Sequence, residues 1–163
     1  MKSRHIIFGL TTGIAVAIFF LVSYKTGLYA SRPNSQLLFT VIFGIGLLGN
    51  GIVFSNENNR EVAFGQIFTN CFKAGLIAAL CWVAYDVFSE YAFPEIKQSL
   101  IDNLKTEKIT HAAKMTDEQI EKNIVDIQKH HLTMMIEITL FWSLILSAIS
   151  SLLAGLVAPK RKV

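Results

Sequence analysis

Three stretches of this chain carry no charged side chain: residues 6–24, 33–56 and 138–159. Each is about 19 to 24 residues long, enough for a helix to cross roughly 30 Å of hydrocarbon. Lipid offers backbone N–H and C=O groups no water, so a spanning segment must pair them internally, as a helix does. These runs predict spans at about 6–24, 36–55 and 132–158. A fourth apolar run, 74–85, rises only about 18 Å as a helix and cannot cross alone. Extended to 64–92 it can, with Lys73 snorkelling outward and Trp82 and Tyr85 as interface anchors. Pro94 ends it.

Composition agrees with this count. The 163 residues are 52% apolar and 17% charged, against about 25% charged in soluble domains. That excludes a disordered chain, a disulfide scaffold and an ordinary soluble enzyme. Cys71 and Cys81 stand ten residues apart on one expected helix, about 15 Å of rise and too far for a disulfide. They read as buried thiols. The expected fold class is all-α: an integral membrane four-helix bundle in one domain, 1–163.

Lys2 and Arg4 precede the first run, but its apolar core is too long for a signal peptide and Leu28 suits cleavage after Ala30 poorly. The run is expected to remain as a span. Four spans put both termini on one side. Lys2 and Arg4 at one end and Lys160, Arg161 and Lys162 at the other place them in the cytoplasm. A multi-pass membrane location is expected, with both ends cytoplasmic. The same clusters point to lipid headgroups as the partner of the basic ends, and not to nucleic acid.

The one long polar stretch, 94–131, lies between spans three and four. Ile96, Leu100 and Leu104 recur every fourth residue. Ile120, Ile124, Ile127, His131, Met134 and Ile138 follow a heptad seam into the last span. Thr116 and Gln119 have capping-box spacing, with Asp117 and Glu118 in the first turn. Glu118–Lys122 and Glu107–His111 are i,i+4 pairs. The pattern predicts an extramembrane antiparallel helical hairpin turning near residues 114–116.

Several motifs invite a site reading. Gly44, Gly46 and Gly49 spell G-x-G-x-x-G, but inside a charge-free span with no strand before them, so no dinucleotide loop is expected. Gly44 and Gly49 are read instead as helix-packing positions, and Asn50 as an interhelical hydrogen bonder. Gly9 and Gly13, and Ser143, Ser147, Ser151 and Gly155, form similar rows at four-residue spacing. Such rows let helix backbones approach, within one chain or between copies. No nucleophile elbow, phosphate loop or zinc-protease motif is present. No enzyme activity, cofactor or metal is expected.

Ionisable residues in spans are functional candidates by default. Asp86 and Glu90 share a face of the third span, and depth counting puts Glu137 near the same level. The three are the candidate cluster, for protons, for cations or for structure. His130 and His131 are weaker candidates, with no spacing that suggests a metal site.

Phe64-Gly65-Gln66, then Phe68, then Phe72-Lys73-Ala74-Gly75 form the most distinctive segment. It is followed by a Tyr/Asp/Phe-rich span end, Pro94, a Lys/Glu helical insert, a final span and a basic tail. In this order the chain resembles the small inner-membrane proteins of Bacteroidota grouped as domain of unknown function 4199. The resemblance covers nearly the whole chain, though residues 56–59 make a loop richer in Asn than expected. It implies a four-helix inner-membrane protein and no activity. The expectation for function is a non-enzymatic accessory or scaffold subunit touching lipid and another membrane or periplasmic protein, or a second copy of itself. The alternative is a small proton- or cation-linked transport component using Asp86, Glu90 and Glu137.

Overall fold

The computed structural model describes residues 4–26, 32–110 and 116–159, the side chains of 32–36 and 107–110 excepted. The expected basic residues Lys2 and 160–162, the side chain of Arg32, the Glu107–His111 pair and the turn at 114–115 lie outside that description. Five helices follow in order: α1 (Arg4–Lys25), α2 (Arg32–Glu57), α3 (Phe64–Ala92), α4 (Pro94–Thr110) and α5 (Asp117–Val157). No strand occurs among the described residues. Four of the helices, α1, α2 from Leu37, α3 and α5, are long and apolar enough to cross a membrane. The all-α, four-span fold class holds.

Local chemistry sets the helix ends. α2 closes in a Schellman turn: Arg60 N–H donates to Ser55 O at 2.9 Å and Asn59 N–H to Asn56 O at 3.1 Å. Asn59 and Arg60 both take positive φ, 54° and 64°. Asn tolerates that conformation, but an Arg there is costly. α3 starts with Ala63 N–H donating to the Gln66 side chain at 2.9 Å. Phe93 N–H reaches back to Ser89 O, and Pro94 opens α4 at the position where its missing N–H costs nothing. Thr116 and Gln119 cap α5 reciprocally: Thr116 N–H to Gln119 Oε1 at 3.0 Å, and Gln119 N–H to Thr116 Oγ1 at 3.3 Å. That is the capping box anticipated from spacing.

The chain divides into two compact units. The first holds Met1–Val83 and Thr139–Val163. One core there gathers Val16, Phe39, Phe43, Leu47, Ala74 and Ala78, with Phe20 and Trp82 packed against it. Trp82 stacks on Phe20 at 5.5 Å and meets Phe39 at 4.3 Å between ring centres. It is half-buried, and its aromatic neighbours cover one side of it. A second core joins Ile67, Cys71, Ala154 and Ala158. Lys73 is exposed.

Small residues bring these helices together. A Cβ on Gly9 would fall 2.6 Å from Ile77 Cβ, and one on Gly13 2.5 Å from Cys81 Cβ, so α1 lies hard against α3. A Cβ on Gly75 would fall 2.6 Å from Ser147 Cβ, and one on Gly155 2.5 Å from a Phe64 ring carbon. In α2 the close glycines are Gly46, against Thr12, and Gly51, 2.8 Å from Ala154 Cβ on the same measure. Gly44 and Gly49 meet only ordinary contacts at 3.8 Å. The tightest approach in α2 is thus at Gly46 and Gly51, and two residues around a helix turn the face by about 200°.

The polar interior is mostly paired. Asn70 donates to Asn50 Oδ1 at 3.1 Å and Asn50 to Asn70 O at 3.4 Å, both buried. Ser143, Ser147 and Ser151 are fully buried. Ser143 donates to Leu140 O, while the Ser147 and Ser151 hydroxyls have no partner among the described residues. At one end Arg4 Nε donates to Glu57 at 2.8 Å, joining α1 to α2, and Ser55 donates to Pro159 O.

Candidate functional site

The second unit is Ala84–Ile138: the last turns of α3, all of α4 and the first half of α5. Apolar burial there is sparse, with Ile101 of α4 and Ile120 of α5 the deeply buried aliphatics among the described residues. The polar groups between its helices therefore weigh more.

Asp86, Ser89 and Glu90 follow at three- and four-residue spacing on one side of α3, so they stack along it. Asp86 is 2% exposed. Ser89 donates back to Asp86 O at 2.9 Å. Glu90 is the meeting point of three helices. Its Oε2 lies 2.5 Å from Nδ1 of His131 on α5. Its Oε1 lies 3.6 Å from Nζ of Lys97 on α4. His131 is buried, and Lys97 is about a third exposed.

Two local breaks make this meeting possible. Pro94 interrupts the helical ladder and restarts it at once as α4. Lys97 then stands seven residues from Glu90, two helical turns on, and returns toward it. On α5, His130 leaves helical geometry, with φ −128° and ψ 15°. The heptad face holds up to that break: Ile120 is buried, Ile124 and Ile127 half-buried, His131 buried. Beyond it the face shifts by one position. Met135 is half-buried and Thr139 buried, while Met134 and Ile138 of the expected seam are 37% and 55% exposed. A heptad seam requires an uninterrupted helix, and this one is interrupted.

The candidate carboxylates differ in burial: Asp86 is buried, Glu90 half-buried and Glu137 exposed. Glu137 is exposed and lies six residues after His131, about 120° around the helix. It shares its side with Phe141 and Leu144, 60% and 45% exposed. It does not join Asp86 and Glu90. His130, the residue of the break, is exposed and His131 faces inward. Tyr85 is half-buried. Lys97 was missed from sequence; its spacing to Glu90 was legible, but Pro94 between them hid the shared side.

Chemically, a carboxylate held by an imidazole and an ammonium is a charge-assisted clasp. Among the described residues no three His, Cys, Asp or Glu side chains gather as a metal would need. The G-x-G-x-x-G residues lie inside α2. No curated protein and no solved structure matches the chain. Residues 7–160 match the family described as "Protein of unknown function (DUF4199)". With four apolar helices, a polar helical insert and a match across nearly its whole length, the chain belongs to that family.

Proposed function

We propose that the chain is a non-enzymatic membrane anchor that carries a polar helical unit to a partner, as an accessory or scaffold subunit of an inner-membrane assembly. The boundary between the two compact units carries this reading. The first unit keeps 64–83 of α3 and 139–157 of α5, besides α1 and α2. Taking α2 from Leu37, each such segment is about 19 to 22 residues, or about 28 to 33 Å of helix. That is one hydrocarbon thickness. Asp86, Glu90 and Glu137 then lie in sequence just outside the spans, in the polar unit, which also holds the helical hairpin. Glycine and serine faces are engaged inside the first unit, which favours a partner surface on 84–138 over one in the membrane. Both termini lie in the cytoplasm on this reading.

The test is crosslinking in native membranes through Lys105 and Lys122, both exposed. A defined heterologous partner should be captured through these lysines and lost when both become Arg. Recovery of the chain crosslinked only to itself would sink the scaffold reading. The alternative, proton- or cation-linked transport, draws on the burial of Asp86. It requires ion flux in liposomes that Asp86→Asn abolishes. Flux that survives that substitution removes it.

A further inference from the structure

One polar stripe of the first unit faces out of its bundle. Gln66, Thr69 and Lys73 recur at three- and four-residue spacing on α3, followed on the same side by Leu76 and Leu80, and all five are exposed. We propose that this stripe binds an anionic phospholipid, with the phosphate at Lys73 and the acyl chains along Leu76 and Leu80. The inference rests on the reading that the first unit spans the membrane. It holds for either orientation and for any partner of the polar unit.

Packing sets the depth of the lysine. Phe64 lies against Gly155, and Gly75 against Ser147. Lys73, two residues nearer the start of α3, therefore stands roughly 12 Å inside the end of α5 at Val157. A cation that far inside a span is costly unless it is paired. Among the described residues no carboxylate pairs with it, and Glu57 at that end of the bundle is taken by Arg4. Each Cα–Cβ bond of a helix tilts toward its start, so Lys73 sets out along Thr69 and Gln66 toward the nearer surface. Gln66 Oε1 accepts from Ala63 N–H, which leaves its amide NH2 to donate. The stripe thus offers an amide, a hydroxyl and an ammonium, all donors, and then two leucines. A phospholipid presents its groups in that order from the surface inward: headgroup and phosphate, then hydrocarbon. The unpaired positive charge selects a headgroup of net negative charge. A neighbouring helix fits this face poorly, because helices in lipid approach one another through small residues. Gly9, Gly13, Gly75 and Gly155 are already closed against their own chain, whereas Lys73, Leu76 and Leu80 are long.

Native mass spectrometry of the full chain in detergent at low ionic strength tests this, with phosphatidylglycerol and phosphatidylcholine of identical acyl chains as probes. The native chain should bind its first phosphatidylglycerol about fivefold more tightly than its first phosphatidylcholine. Lys73→Leu should lose that preference and Lys73→Arg should keep it. Lys105→Gln, in the polar unit, should leave it unchanged. Equal affinity of the native chain for the two lipids overturns the proposal. So does a preference that survives in Lys73→Leu, which would leave the lysine to a carboxylate of a partner helix. A loss in Lys105→Gln as large as in Lys73→Leu reduces the effect to net charge and overturns the site as well. Alkaline extraction of native membranes tests the underlying reading separately: a chain released by it is not a spanning protein, and both readings fall. A chain retained there that takes up the two lipids alike sinks the lipid site alone.

Discussion

Two glycines of one helix make opposite demands. Gly75 faces Ser147 Cβ and Leu47 at 2.6 and 3.2 Å from where its own Cβ would be, whereas a Cβ on Gly65 meets nothing within 4 Å. Gly75→Ala should therefore lower stability by about 1–3 kcal/mol through overpacking. Gly65→Ala should leave it unchanged or raise it by up to about 1 kcal/mol through helix propensity. Thermal unfolding in detergent reads both. The Asn50–Asn70 pair offers a second test. Asn50→Leu strands the Asn70 amide in an apolar interior and should cost about 1–2 kcal/mol. The double change to Leu should recover most of that loss, because no polar group is then left unpaired. Spacing showed that α2 must thin somewhere between Gly44 and Gly51. It did not show which side, because four glycines within eight residues cover most of the helix circumference.

At the scale of elements, the ends were legible and the interior break was not. Thr116 and Gln119 announce the start of α5 by chemistry that acts over three residues. Thr116→Ala should cost about 1 kcal/mol, seen as faster hydrogen exchange confined to the first turn of α5. Arg60→Gly should add up to about 1 kcal/mol, since glycine carries no penalty at φ 64°; the same melting measurement reads it. The break at His130 has no proline or glycine to mark it, and the heptad runs through it unbroken in sequence. Tertiary contact with Glu90 overrides the repeat there. Met134, Glu137 and Ile138 lie beyond that break and face outward, whereas Asp86 and Glu90 stack on α3.

For the whole molecule, absence of charge did most of the work. Four apolar helices could be counted because hydrocarbon tolerates so few ionised groups. The division of α3 and α5 between two units was less visible, since both helices run through it without a terminus. The proposed topology is checkable with a membrane-impermeant maleimide on intact cells. Lys105→Cys should label from outside, and Arg60→Cys only after the membrane is opened. Labelling of Arg60→Cys in intact cells would reverse the orientation.

The close fit of Gly75 against Ser147 also bears on how the protein is made. The two residues are separated by about 70 positions, so a ribosome adding 5–20 residues per second needs roughly 4–14 seconds to supply the second. During that interval α1, α2 and α3 can pair Gly9 and Gly13 with their neighbours and close Asn50 on Asn70. The groove at Gly75 stays empty. On the proposed orientation, the polar unit crosses the membrane while the bundle is still three-sided, and the last helix to emerge completes it. Biogenesis of this chain is thus ordered by its packing: an insertion factor that shelters a half-built bundle would act between the third helix and the fifth.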